Sequence, residues 1–221
     1  AQAIQPGLPF FMGGVYSVMD MSSMILAYGA PELSLMMAGL TELAHYAGLP
    51  LWQTGGCTDS KTLDEQAAIE GSLSVFFSAL SGGDLCHDVG YTESAMTGSV
   101  FQLTAMDEAI GYARRITRGI EVNEDTLAVD VIKRVGPNGH YLKDEHTRRY
   151  YKSEYWLPNL CDRTSFEDWK LMGEKSFKDR TIARVQKILA EYEQVPLKPS
   201  TEKMIDEILA EAEEWVKQQE E

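Results

Sequence analysis

Gly7-Leu8-Pro9-Phe10-Phe11-Met12-Gly13-Gly14 returns further along the chain as Gly48-Leu49-Pro50-Leu51-Trp52-Gln53-Thr54-Gly55-Gly56. A third variant follows, Asp84-Leu85-Cys86-His87-Asp88-Val89-Gly90. Each copy is a short apolar run that stops at glycine, and each is followed by a helical pattern. Repeated strand–loop–helix units of this kind predict parallel strands, because a parallel pair needs a long crossover and a helix usually supplies it. The class is therefore α/β. In such folds chemistry gathers where strands end and loops begin, so the residues just after each copy are the first candidates for function.

Working outward, the repeats predict strands at about 8–13, 49–54 and 84–89. Between the first two, Pro31 suits a first helical turn. Leu33, Met36, Met37, Leu40, Leu43 and Ala44 then fall at helical spacing, up to Gly48. Thr62-x-x-Glu65 reads as a capping box for a helix through Ile69, Leu73, Phe76, Phe77 and Leu80, closed by Gly82-Gly83. A long helix is predicted over about 98–118, and one capped by Asn123 over about 124–135. A polar and aromatic stretch fills 141–160, and Thr164-x-x-Glu167 caps a short helix. Two amphipathic helices, about 178–193 and 200–219, are separated by Pro196 and Pro199. The last has Met204, Ile205, Ile208, Leu209, Ala212, Trp215 and Val216 on one face, which suits packing on the protein's own body.

The chain has 221 residues, enough for a sizeable core. Its net charge of −14 argues against nucleic acid and anionic membrane surfaces as partners. No apolar run approaches a membrane span. Three cysteines, Cys57, Cys86 and Cys161, show no metal-ligand pairing and suggest a reducing, cytoplasmic setting. Ala1-Gln2-Ala3-Ile4 has no initiator methionine and reads as the end of an element in progress. Three strands cannot close a barrel, so the expectation is a piece of something longer, or one completed by another chain.

The loop after the second copy is the densest in functional groups. Gly55-Gly56 permit close backbone approach, and Cys57, Thr58, Asp59, Ser60 and Lys61 crowd a helix start. Taken plainly, Thr58, Asp59 or Ser60 is an N-cap and Lys61 is solvated. The loop lacks the G-x-x-x-x-G-K-[ST] pattern of a phosphate-binding loop. His87 ends the third run beside Asp88, with Glu93 near. No H-x-x-E-H or H-E-x-x-H spacing points to a metal, and none is expected. Phe10 and Phe11 read as strand core. Trp52, Tyr16 and Tyr91 suit a pocket mouth, where aromatic faces attract a quaternary ammonium.

These residues together resemble a known family. Gly55-Gly56-Cys57-Thr58-Asp59-Ser60-Lys61, with Asp64, Gln66 and Glu70, is similar to the G-G-x-x-D-S-K-x-x-D-x-Q-x-x-x-E segment of the trimethylamine methyltransferase superfamily. Tyr16-Ser17-Val18-Met19-Asp20-Met21 resembles its preceding loop, and His87 through Glu93 its next strand end. Arg114-Arg115-Ile116 to Gly119-Ile120-Glu121-Val122 and Val135-Gly136-Pro137-Asn138-Gly139-His140 resemble its C-terminal region. The resemblance implies the C-terminal part of a (β/α)8 TIM barrel, residues 1–120, followed by a C-terminal helical extension, residues 121–221, packing on the barrel. It implies transfer of a methyl group from a methylated amine to the Co(I) of a corrinoid (cobalamin) carried by a separate, cognate partner protein.

Trimethylamine members carry pyrrolysine in the segment near Gly55–Ser60. Ordinary residues stand here, so the resemblance points to the branch acting on quaternary amines such as glycine betaine. A quaternary ammonium leaves as a neutral tertiary amine, so no proton need be supplied, and orientation and desolvation carry the task. The candidate residues are His87, Asp59 and Glu93 for catalysis and Tyr16, Trp52, Cys57, Lys61 and Tyr91 for the substrate. Lys61, His87 or the amides after Gly55-Gly56 are candidate donors for a betaine carboxylate. A trimethylamine enzyme, and a non-catalytic split-barrel subunit that binds a corrinoid protein, remain alternative readings, and homo-oligomerisation is left open.

Overall fold

A computed structural model describes residues 3–220 of the chain. Ala1 and Gln2, half of the stretch read as an element in progress, lie outside the described residues. The chain divides into two compact units, 1–186 and 187–221.

The first unit opens with β1 (Met12–Gly13), β2 (Val18–Met19), β3 (Leu26–Ala27), α1 (Pro31–Tyr46), β4 (Leu51–Thr54), α2 (Glu65–Ser81) and β5 (Leu85–His87). β1, β4 and β5 form one parallel sheet with β4 in the centre. The three repeated phrases are thus three neighbouring parallel strands, each shorter than its apolar run. The register sets Gly13 against Trp52, and Thr54 against His87.

Side chains alternate across a strand. On β4, Leu51 and Gln53 are fully buried, whereas Trp52 is 50% exposed. α1 and α2 pack against β4, and α3 (Val100–Thr117) packs against α2. Gln53 is a polar residue in a core position, and its polar atoms are paired. Its Nε2 donates to the Ser78 carbonyl (2.9 Å) and Oγ (2.7 Å), and its Oε1 accepts from Thr41 Oγ1. Phe10 and Phe11, expected as strand core, precede β1 and are half exposed. The reason is that, among the described residues, β1 is an edge strand of two residues that pairs with β4 alone.

Several helix starts differ from the expected ones by small, physical margins. α2 is capped by Asp64 rather than Thr62: its carboxylate accepts from the Ala67 N–H (2.9 Å). Ser60 Oγ donates to the other Asp64 oxygen and so fixes the cap. α3 is capped by Ser99. The helix expected over about 124–135 is two, α4 (Glu124–Leu127) and α5 (Val129–Val135), because Ala128 takes a left-handed conformation (φ 53°). The Asn123 cap forms as expected. The polar stretch contains α6 (Glu145–Glu154), and α7 (Phe166–Leu171) is capped by Ser165, one residue after Thr164. Thr164 instead donates to Asp162.

Two charged anchors join the post-sheet helices to α3. Glu108 is buried and accepts the backbone N–H groups of Asn159, Leu160 and Cys161 at 2.8–3.0 Å. Arg115, in the last turn of α3, and Arg118, its C-cap, both reach Glu154. α8 (Phe177–Glu191) follows, with Thr181 and Val185 buried. The second unit holds α9 (Pro199–Glu220), with an ion pair between Lys203 and Glu207 one helical turn apart. Among the described residues, no helix is long and apolar enough to cross a membrane.

Candidate active site

Three loops meet at the C-terminal ends of β4 and β5. The 55–61 loop follows β4 through two glycines. Gly56 has φ +79°, a left-handed value. A Cβ on Gly55 would lie 3.0 Å from the Cys86 sulfur and 3.1 Å from the Ser74 carbonyl. Only glycine lets the chain pass this close at Gly55 and turn this way at Gly56. The loop is then tied down along its length. Gly55 N–H donates to the His87 carbonyl, Gly56 N–H to Ser74 Oγ, and Thr58 N–H to the Tyr91 carbonyl. Asp59 N–H donates to the Glu70 carboxylate and Ser60 N–H to Thr58 Oγ1. The amides expected as donors for a substrate carboxylate are therefore already engaged at Gly55, Gly56, Thr58, Asp59 and Ser60. Glu70 also accepts from Thr58 Oγ1 and from Gln66, so a single carboxylate on α2 sets the loop's shape.

The second loop follows β5 and runs into a small hairpin, β6 (Tyr91–Thr92) with β7 (Thr97–Gly98). Its turn holds Glu93, Ser94 and Ala95, all at positive φ. Such conformations cost energy in residues with a Cβ. Here they are held by bonds to the 55–61 loop: Glu93 N–H donates to the Ser60 carbonyl and Ser94 N–H to the Thr58 carbonyl. The third loop, before α1, brings Tyr28 to the same place. It follows the β2–β3 hairpin, which Asp20 closes by accepting from Ser22 and Ser23.

At the junction of these loops lies His87. Its Nδ1 is 2.7 Å from Asp88 Oδ1, and its Nε2 is 3.3 Å from Thr54 Oγ1. The Trp52 ring meets the imidazole edge-on at a centroid distance of 4.9 Å. The other Asp88 oxygen accepts from the Tyr28 hydroxyl at 2.6 Å. Asp88 has φ +67°, and this turn brings its carboxylate beside the preceding ring. Burial, and then the Asp88 acceptor, push the Tyr28 phenol well above its ordinary value, so it stays a donor.

The remaining candidates fall into distinct roles. Asp59 Oδ1 accepts from the Tyr28 N–H and from Ser94 Oγ, both at 2.8 Å, so it joins all three loops. Cys57 is fully buried with Tyr28, Leu33 and Met37. Burial, then nearby Asp88, push its thiol well up, which keeps it protonated and unreactive. Lys61 Nζ folds back to the Asp59 carbonyl at 2.7 Å. Glu93 accepts from Thr97 within its own hairpin. Tyr91 and Tyr16 have partly exposed rings, and Tyr16 lies against Gly14. The structure thus joins Trp52, Thr54, His87, Asp88 and Tyr28 in one contact chain, with Asp59 linked through the Tyr28 backbone. Among the described residues, no group of three or more His, Cys, Asp or Glu is placed to hold a metal ion.

Sequence reasoning passes over Tyr28 and Thr54. Thr54 has a weak signal, as the last residue of a repeat. Tyr28 has none, because its link to Asp88 spans 60 positions.

The family model for trimethylamine methyltransferase (MTTB) matches residues 1–215. The chain belongs to the trimethylamine methyltransferase family. It is 35% identical over 211 residues to a glycine betaine methyltransferase of Desulfitobacterium hafniense strain Y51, covering 95% of this chain and 44% of that protein. It is 34% identical over 214 residues to a trimethylamine methyltransferase MttB of Desulfitobacterium hafniense strain DSM 10664 / DCB-2, covering 97% of this chain and 43% of that protein. A third relative, trimethylamine methyltransferase MttB of Methanosarcina barkeri strain Fusaro, is 32% identical over 199 residues, or 89% of this chain and 40% of that protein. The chain therefore spans less than half the length of the curated relatives it matches.

Proposed function

We propose that this chain supplies part of the active site of a methyltransferase that moves a methyl group from a quaternary amine to the Co(I) of a corrinoid protein. The observation that carries the reading is the half-exposed Trp52 ring on the central parallel strand, beside His87 at the C-terminal end of the neighbouring strand. An indole face there attracts a quaternary ammonium, the charge such a substrate must carry. The imidazole beside it offers a polar edge for a second substrate group. In this reading the methyl carbon leaves nitrogen, and the bonding pair stays on nitrogen. The amine departs neutral, so the protein need orient and desolvate the substrate but not protonate it. The cobalt is the acceptor substrate and belongs to the partner protein.

The same reading takes β1, β4 and β5 as adjacent strands of a (β/α)8 barrel over residues 1–120, with 121–221 as a helical extension. The parallel order β1-β4-β5 supports this, as do the Glu108 and Arg115 anchors on α3. Among the described residues, β1 and β5 each have β4 as their one partner in this sheet, which suits a sheet that continues.

Trimethylamine as substrate is the second reading, because the identities to the two Desulfitobacterium relatives, 35% and 34%, do not separate the named substrates. The test uses the full-length protein, a reduced corrinoid protein and a panel of methylated amines, with methylation of the corrinoid read spectroscopically. Methyl transfer from glycine betaine or a related betaine supports the first reading. Transfer from trimethylamine alone supports the second, and transfer from no amine overturns both.

A further inference from the structure

The three-part chain Tyr28–Asp88–His87 bears on how the imidazole is held. A histidine ring can flip about its terminal torsion, exchanging the places of its two nitrogens, and each neutral ring carries its proton on either one. Which state is present depends on what the other nitrogen meets. Here the Nδ1 side meets a carboxylate at 2.7 Å, an acceptor that cannot donate when ionised. That carboxylate is itself held at its second oxygen by the Tyr28 hydroxyl at 2.6 Å. Tyr28 is only 6% exposed, and its backbone N–H is bound by Asp59, so the phenol has little freedom to leave. The ring face is set by Trp52, and the Nε2 edge by Thr54.

We propose that Asp88 and Tyr28 are positioning residues that fix His87 with its proton on Nδ1, so that Nε2 is the ring atom presented at the strand end. Tyr28 acts on Asp88, and Asp88 acts on His87. That His87 serves the substrate rests on the reading given above; its orientation does not. The left-handed backbone of Asp88 is part of the device, since an extended residue there would carry the carboxylate away from the preceding ring. It also selects the substitutions. Glycine adopts φ +67° freely and removes the acceptor. Asparagine tolerates that region and keeps a carbonyl oxygen that accepts from Nδ1–H.

The test is a two-bond proton–nitrogen correlation spectrum of the full-length protein labelled with ¹⁵N-histidine, with His87 assigned by its loss in His87→Gln. The wild type should show the Nδ1–H form. Asp88→Gly should show the Nε2–H form or a mixture, and Asp88→Asn should restore the Nδ1–H form. Tyr28→Phe should show a second, minor set of His87 signals. In parallel, kcat/KM for methyl transfer should fall about 10- to 100-fold in Asp88→Gly, as when an orienting partner is removed from a metal-bound histidine, and recover in Asp88→Asn. An Nε2–H wild type, or an unchanged tautomer in a folded Asp88→Gly protein, overturns the proposal. If Asp88→Gly does not fold, Tyr28→Phe decides: His87 signals and kcat/KM both unchanged overturn it. If the wild type is inactive on every amine but the tautomer results hold, the functional reading fails and the orientation stands.

Discussion

Replacing Glu70 by alanine should free the 57–61 loop without unfolding the helix that carries it. Glu70 sits in the second turn of α2, and alanine favours a helix at least as well as glutamate. Its carboxylate makes two bonds to the loop, from Thr58 Oγ1 and from the Asp59 N–H at 2.9 Å. A hydrogen bond to a charged group contributes about 1.5–3 kcal/mol net, and the lower figure suits a half-buried site. Two such bonds give about 3 kcal/mol of local stability. At about 1.4 kcal/mol per tenfold change, the Asp59 amide should exchange with solvent roughly a hundredfold faster in Glu70→Ala. The third bond, from the exposed Gln66, is internal to α2 and adds little to the loop. The measurement is hydrogen exchange, with the buried Ala44 of α1 as the reference. An Asp59 amide that accelerates by less than about threefold would refute the carboxylate's control of this loop. Equal acceleration at Ala44 would show that the change is global and would refute it as well.

Three further outcomes follow from the same geometry. Asp64→Ala removes the α2 cap and should cost about 1 kcal/mol in urea unfolding. The Ala67 N–H holds the Asp64 carboxyl below its ordinary value, so the cap contributes fully above the unfolded value of about 3.9 and is lost as pH falls through the lower folded one. The penalty of Asp64→Ala should therefore shrink below about pH 4, and a penalty independent of pH would count against the cap. Glu108→Ala strands three backbone N–H groups and should cost about 3 kcal/mol or more, read from the same denaturation midpoint. Cys57 should resist alkylation in the native protein and react only after unfolding, with peptide mass spectrometry as the check.

The layout of the sheet is legible in the sequence because the repeat encodes it physically. Each apolar run ends at a glycine where the chain must turn, and each crossover carries a helical stripe. What periodicity does not encode is the side-chain competition at element ends. Thr62 and Asp64 are both good caps, and Asp64 prevails because Ser60 fixes its second oxygen. Ala128 carries no breaker signal, yet it splits a helix. The two hairpins, β2–β3 and β6–β7, consist of two-residue strands, too short to leave an alternating pattern.

The site is legible to a lesser degree, and the division follows sequence distance. His87 and Trp52 are visible because each ends or interrupts a repeat. Asp59 and Glu70 are visible as members of a motif, but their roles are not. The same carboxylate type that catalysis uses is also what a strained loop needs for its N–H groups. Asp59 meets the Tyr28 N–H and the Ser94 hydroxyl, partners 31 and 35 positions away. Both bonds meet Oδ1, so this one oxygen shapes the site by joining the loops. Trp52, in contrast, keeps half its surface free, and His87 keeps one ring edge directed at a neutral hydroxyl. Trp52 and His87 thus meet ring to ring, while Asp59 and Glu93 accept from loop groups, a division that no periodicity encodes.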